Sequence, residues 1–310
     1  MTNPGIDTAV RLRAFSFLEA QCQLNPLGIL PRSVLEAGFD FEGRRVPLVG
    51  PQGIFKPAVL PEIPLSITTV PLVEGRPRPY DDQVNQEGLI RYRYRGTNID
   101  HHENVGLRKA MLNRKPLIYF YGVVKGRYLA AWPAYIVGDN PKELSFDVEI
   151  GAKNAAMLVT GNSIEEVDIA PERRYITVAT QQRLHQQSFR YRVLQAYREC
   201  CSVCRLRHIE LLDAAHILPD THPRGAPYVS NGLALCKLHH AAFDANILGV
   251  RPDLVVEIRK DILDESDGPL LVHGLKECHN RPLVEVPRAP RLRPKPEFLE
   301  ERYALFRKAS

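Results

Sequence analysis

Hydrophobic and polar positions recur along this chain with different periods, and each period predicts a different element. In residues 7–24, Val10, Ala14, Phe17, Leu18 and Gln21 fall at near-helical spacing behind a capping Asp7, so a helix is expected. Pro31 suits the first turn of a second, short helix. Residues 39–72, rich in Pro, Gly and Val, read as short strands joined by turns. Period two takes over in residues 89–95 (LIRYRYR) and again in 144–150 (LSFDVEI). Residues 117–124 contain no charged position and read as a buried strand, which residues 128–137 can pair through the turn at Lys125, Gly126 and Arg127. Residues 104–113 read as a short helix. Residues 183–199 form another, with Phe189, Val193, Leu194 and Tyr197 as its apolar stripe.

Four or five strands with one or two helices predict a curved sheet or partly open barrel, and an α+β fold. The domain boundary is expected just before the helix at 183, dividing the chain into residues 1–180 and 181–310. PRAPRLRPKP (287–296) is the nearest thing to a linker, and residues 297–307 are a candidate helix for a partner chain.

Composition narrows this picture. Apolar residues make up 44% and charged ones 25%, which excludes a wholly disordered chain. No apolar run approaches the ~20 residues of a membrane helix. The start, MTNPGIDTAVRLR, has no basic segment leading into an apolar core, so a cytoplasmic protein without a membrane partner is expected. The net charge of +5 is concentrated in residues 101–200, where 14 basic face 10 acidic residues, and an anionic partner is expected there. Six cysteines are too few for a secreted disulfide scaffold, yet three of them fall at 200, 201 and 204.

Position gives those cysteines meaning. Cys201 and Cys204 form a C-x2-C pair, and Cys236 and His239 form a C-x2-H pair, with 31 residues between the two pairs. Two such knuckles supply the four ligands of a tetrahedral, structural Zn²⁺. Cys200 could replace Cys201 with a longer bite, whereas Cys22 and Cys278 lack ligand spacing and read as ordinary core cysteines. Between the knuckles and immediately after the second lies the order His216, Asn231, His240, at spacings of 15 and 9. A histidine at a strand end, His216, can take a proton from water near neutral pH. His240 and Asp244 share a helix face and can hold a divalent ion. Asn231, in a strand-entry turn, can fix the loop and thereby the His216 ring through side-chain to backbone hydrogen bonds.

With DAAHI, NGLALCKLHH and AFD, residues ~189–248 resemble the HNH, or ββα-metal, endonuclease domain of predicted modification-dependent bacterial restriction enzymes. The resemblance implies that His216 is the general base and Asn231 the orienting residue. His240 would be a ligand of the catalytic ion (Mg²⁺, Mn²⁺ or another divalent ion), with Asp244 as a second. Many members carry a metal-binding Asp or His immediately before the base, where this chain has Ala215. Asp213 or water fills that place, or the ion has fewer protein ligands. By strand alternation Asp213 and Ala215 face one side and His216 the other.

GPQGIFKP (50–57), YRYRGTN (92–98) and PLIYFYGVVKGRY (116–128) resemble the N-terminal region of the same enzymes. That implies a β-rich PUA- or SRA-like barrel over residues ~25–150, holding a modified base among Phe55, Tyr92, Tyr94 and Trp132. The residues themselves leave alternatives open. Arg91, Arg93 and Arg95 share a strand face that could meet phosphates, helped by Arg108 and Lys109, while Tyr92 and Tyr94 pack inward. The tyrosines could instead stack on an extruded base. A solvated edge strand over core tyrosines is the plain alternative.

The expectation is a metal-dependent endonuclease that restricts modified double-stranded DNA as a homodimer, since cutting both strands needs two sites. A zinc-dependent DNA-binding protein with a degenerate nuclease site, motivated by Ala215, and an HNH repair or homing enzyme acting on unmodified DNA are the competing readings.

Overall fold

The computed structural model describes residues 4–25, 27–73, 87–151, 170–266 and 268–309. The chain divides into two units, residues 1–184 and 185–310, each built on its own hydrophobic core.

The first unit opens with helix α1 (Pro4–Leu24), which buries Val10, Ala14 and Leu18 at helical spacing. Strand β1 (Leu30–Pro31), helix α2 (Arg32–Ala37) and the hairpin of β2 (Phe39–Phe41) with β3 (Arg44–Val46) follow. Then come β4 (Ile54–Phe55), β5 (Ser66–Thr68), β6 (Ile90–Arg93), helix α3 (His102–Leu112), β7 (Leu117–Val124), β8 (Arg127–Asn140) and β9 (Ser145–Ile150). Seven strands make one mixed sheet in the order β4-β5-β7-β8-β9-β6, with β1 also pairing β8. β7 lies inside the sheet and is buried from Leu117 to Val123, which explains its unbroken run of apolar and aromatic residues. The sheet has more strands than the sequence predicts, because β1 and, from the Pro- and Gly-rich stretch, β4 and β5 join it.

This sheet is curled. β6 and β4 stand at opposite ends of the strand order, yet the Tyr92 hydroxyl of β6 donates to Thr68 O of β5 at 3.3 Å. A Cβ on Gly53, beside β4, would come within 3.0 Å of that hydroxyl, so only glycine fits the approach without adjustment. The result is a half-barrel.

Helix α4 (Ala170–Ala196) begins well before the position 183 that its apolar stripe predicts. Pro171 stands in its first turn, where a missing N–H costs no helix hydrogen bond. The added turns dock on the sheet: Ile150 N donates to the Thr177 hydroxyl at 2.8 Å.

In the second unit, Phe189, Val193, Leu194 and Tyr197 of α4 are buried. Strands β10 (Leu212–His216) and β11 (Gly232–Cys236) pair antiparallel, with Leu212 opposite Cys236 and His216 opposite Gly232, and helix α5 (Lys237–Asp244) follows β11 directly. A Cβ on Gly232 would meet Val193 at 2.7 Å and Phe189 at 2.9 Å, so this glycine lets the hairpin lie close on α4. A second hairpin, β12 (Leu248–Val250) and β13 (Val256–Ile258), precedes the short helices α6 (Lys260–Asp264) and α7 (Pro269–Gly274).

The stretch 287–296 is no free linker: Lys295 N donates to Ser230 O at 3.1 Å, pinning it to the turn that enters β11. Helix α8 (Pro296–Ala309) then buries Phe298, Leu299 and Phe306, the last over Gly249 of β12. These three side chains of the candidate partner helix are thus covered within its own unit, and Leu305 is exposed. Among the described residues no helix is long and apolar enough to cross a membrane.

Candidate active site and metal centre

Cys201 and Cys204 lie in the turn after α4, Cys236 ends β11, and His239 stands in the first turn of α5. Ser202 N donates to Ala234 O at 2.8 Å, which stitches the first knuckle to β11. His239 Nδ1 is 3.5 Å from Cys201 Sγ and 3.1 Å from Cys236 Sγ, and Cys204 and Cys236 Sγ are 3.9 Å apart. All four ligand atoms lie within 4.8 Å of one another. A tetrahedral zinc site with ordinary bond lengths has S–S and S–N edges of about 3.8 and 3.6 Å. The four residues therefore fit a metal ion and could bind one. His239 Nε2 lies 2.8 Å from Gly274 O, which holds the ring with Nδ1 toward the sulfurs. Cys200 is outside the group, its thiol 3.6 Å from Cys201 O. Cys278 lies beside the cluster, in hydrogen-bond reach of His239, a proximity with no signature in its spacing.

His216 closes β10. Its ring stacks on Phe189, with centroids 4.0 Å apart and planes inclined by 16°. Its Nε2 is buried without a hydrogen-bond partner, so stacking and backbone, rather than a carboxylate, orient the imidazole. Burial lowers its pKa below the usual histidine value, and the ring is neutral at pH 7 and able to accept a proton. Directly behind it, Asn231 is fully buried. Asn231 Oδ1 accepts from Leu218 N at 2.9 Å, and Nδ2 donates to Leu218 O at 3.0 Å and Ala226 O at 3.3 Å. One side chain thus closes the loop that leaves His216.

The facing wall is α5. His240 Nδ1 lies 3.6 Å from Asp213, and Nε2 lies 3.4 Å from Asp244. The nearby Asp213 carboxylate raises the His240 pKa, and His240 and then Lys237 hold the Asp213 carboxyl well below the usual carboxylate range. Arg190 of α4 adds a further contact to Asp213 at 3.2 Å. Each nitrogen of His240 faces a different carboxylate. The ring can therefore share an ion with Asp213 or with Asp244, but not with both at once in this arrangement.

Phe189, Asp213, His216, His240, Asp244 and Arg302 line one cleft of ≈ 720 Å³. Strict alternation separates Asp213 from His216, yet both reach this cleft, while Ala215 is fully buried in the core. Three cationic or polar partners, Arg190, Lys237 and His240, draw the Asp213 carboxylate in. Sequence spacing gives no hint of Arg302 or of the Phe189 stack, since both depend on how α8 and α4 pack.

In the first unit several of the expected DNA-binding residues are committed to neighbours, mostly acidic ones. Arg91 pairs with Glu143 at 3.0 Å, Lys109 with Glu62 at 2.9 Å, and Arg95 lies 3.8 Å from Glu103. Tyr94 packs on Phe146 with centroids 4.5 Å apart and bonds Asp139, which also receives Arg108 Nε at 2.7 Å. Trp132 is buried in the core with Phe120 and Tyr128. Phe55 is half-buried. A cleft of ≈ 270 Å³ opens where the two ends of the sheet approach, lined by Gly53, Thr68, Tyr92, Arg93, Tyr94 and Arg95 among others.

A strand hairpin with a neutral histidine at its tip thus faces, across one cleft, a helix that carries a histidine–carboxylate pair. In the comparison with known families, residues 201–251 match the family of HNH endonucleases, HNH_2. This chain carries an HNH endonuclease domain and is a nuclease. No curated protein matches it. Among solved structures, one described as "Modification dependent TagI restriction endonuclease" aligns with 79% of this chain and 82% of its own, at 17% identity and a TM-score of 0.28.

Proposed function

We propose that the chain is a metal-dependent DNA endonuclease in which residues 185–310 cut and residues 1–184 select the DNA. The observation that carries this reading is the shared cleft: a buried, neutral His216 on one wall and the His240 pair on the other. With Nε2 buried, Nδ1 of His216 would be the nitrogen that takes the proton as the water oxygen attacks phosphorus. Asn231 and Phe189 keep that nitrogen aimed. His240, with Asp213 or Asp244, would hold Mg²⁺, Mn²⁺ or another divalent ion. Such an ion, when bound, stabilises negative charge on the non-bridging and leaving oxygens. Zn²⁺ at Cys201, Cys204, Cys236 and His239 would be structural. It would tie the end of α4 to the start of α5, the helix that carries His240.

Ala215 does not support the degenerate-site alternative. It is a core residue, and the carboxylate beside His240 comes from Asp213 instead. The experiment is cleavage of plasmid DNA in Mg²⁺ or Mn²⁺ by the wild type and His216→Ala. Cutting that His216→Ala abolishes is expected; binding without cutting in every metal would return the degenerate reading.

The same proposal extends to substrate choice. A PUA- or SRA-like role for the half-barrel, directed to modified double-stranded DNA in the cytoplasm, rests on the sequence resemblance and on the cleft bordered by Tyr92 to Arg95. Restriction by a homodimer follows from the need to cut two strands. A panel of unmodified, methylated, hydroxymethylated and phosphorothioated DNA tests this. Equal rates on all four would favour a repair or homing enzyme.

A further inference from the structure

Helix α8 begins 45 residues beyond the matched segment, yet it enters the nuclease cleft. The Arg302 guanidinium covers the Phe243 ring at 4.5 Å and donates to Phe243 O and to Asn246 Oδ1. Phe243 O belongs to the last turn of α5, and Asn246 follows two residues after its end. The last carbonyls of a helix lack intrahelical donors, and that end of the helix dipole favours a cation. Arg302 therefore secures the turn of α5 that carries Asp244, one turn beyond His240.

The preceding residue holds another part of the same site. Glu301 accepts from His222 Nε2 at 2.9 Å and from Arg224. Both donors lie in the loop that leaves His216, which Asn231 closes from the other side. Arg224 also lies over the Phe298 ring at 5.5 Å. Two consecutive residues of α8 thus grip two parts of the nuclease site, and Phe298, Leu299 and Phe306 anchor the helix between them.

We infer that Arg302 is a positioning residue of the nuclease: through it, α8 sets where His240 and Asp244 stand relative to His216. This rests on the nuclease reading above.

The test compares wild type, Arg302→Ala and Arg302→Lys, with Phe306→Leu as a control that loosens α8 without touching α5. Four quantities are read: Mn²⁺ binding without DNA, DNA affinity in EDTA, single-turnover cleavage at saturating Mn²⁺, and thermal stability. Arg302→Ala is expected to weaken Mn²⁺ binding or slow cleavage by roughly 10–100-fold, as loss of a ligand's supporting contact does. Its DNA affinity in EDTA should be unchanged, and Arg302→Lys should recover part of the loss. Unchanged Mn²⁺ binding and rate in Arg302→Ala would overturn the proposal. So would a loss confined to DNA affinity in EDTA, which would make Arg302 a phosphate contact. An equal loss of Mn²⁺ binding and rate in Phe306→Leu at matched stability would reduce Arg302 to general packing. A wild type that cuts no DNA in any metal removes the nuclease reading and this inference with it, whereas a cutting wild type with an indifferent Arg302→Ala removes this inference alone.

Discussion

The two units carry their chemistry in opposite ways. In residues 185–310 the functional groups are chemically singular and do little else: three thiols and an imidazole gather at one knuckle, and His216 and His240 face one cleft. In residues 1–184 the arginines and tyrosines proposed to meet DNA also hold the sheet together, through Arg91–Glu143, Arg108–Asp139 and Tyr94–Phe146. The first kind of site tolerates no exchange of residue type. The second kind blends into the scaffold, so a substitution there changes stability and binding together. Each prediction below widens or closes that gap.

The largest effect belongs to the knuckle. Cys204→Ala and Cys236→Ala should each lose bound zinc and all cleavage. Structural zinc contributes an apparent ~10–16 kcal/mol in small zinc-folded peptides. Here the unit has a core of its own, so the loss should appear as a lowered or missing calorimetric transition for residues 185–310, with that of residues 1–184 intact. Unchanged metal content and unfolding would remove the zinc assignment, and with it half of the contrast.

Next comes the cleft. His216→Ala should slow cleavage by about 10²–10⁴-fold, the usual contribution of a positioned general base, with DNA affinity in EDTA unchanged. Asn231→Ala should lower both rate and stability. It strands Leu218 N, Leu218 O and Ala226 O, and each buried group left unsatisfied costs roughly 1–3 kcal/mol. A His216→Ala protein that cuts like the wild type would place the base elsewhere in the cleft.

These two sites were also the most legible in the sequence, and for a physical reason. A metal knuckle needs short bites, and the helix that follows a strand puts residues four apart on one face, so spacing alone picks out the side chains that the fold brings together. Other parts of the site carry no such mark. Arg302 and Glu301 reach the site only because Phe298, Leu299 and Phe306 dock α8 on its own unit. Strand alternation misplaced Asp213, whose carboxylate follows its cationic neighbours rather than the pleat. The half-barrel was legible as a curved sheet, because alternation marks β6 and β9. The parallel pairing of β5 with β7 joins segments about 50 residues apart and leaves no local trace.

A finer test separates the two histidines by pH. Burial lowers the His216 pKa, so its neutral, proton-accepting form persists as pH falls through 6.5 and is lost only further down. Asp213 raises the His240 pKa, and a proton on His240 must leave before a cation binds, so metal binding weakens from above pH 6.5 downward. At saturating Mn²⁺ the acid limb of the rate should lie below pH 6.5. At limiting Mn²⁺ it should move above it. Coincident limbs at both concentrations would mean that one group controls both steps.

The smallest effects lie on the half-barrel, where the contrast is most easily broken. Arg93 and Arg95 are exposed beside the ≈ 270 Å³ cleft, Arg95 within 3.8 Å of Glu103, and Arg108 is half-buried, bonded to Asp139, Tyr94 and Ile99 O. A phosphate contact displaces about one counterion, so Arg93→Ala and Arg95→Ala should each reduce the salt dependence of DNA binding by a slope of about 1. Their unfolding should stay within about 0.5 kcal/mol of wild type, as for ordinary surface changes. Arg108→Ala should do the reverse, lowering stability because Asp139 and the Tyr94 hydroxyl lose a partner, with an unchanged salt slope. Salt titrations of binding alongside denaturation of the three variants read both quantities. If Arg108→Ala shifts the slope as much as Arg93→Ala does, partial burial does not remove an arginine from the DNA surface. The first unit would then use the same residues for scaffold and substrate, a sharper difference from the nuclease unit than its static contacts suggest.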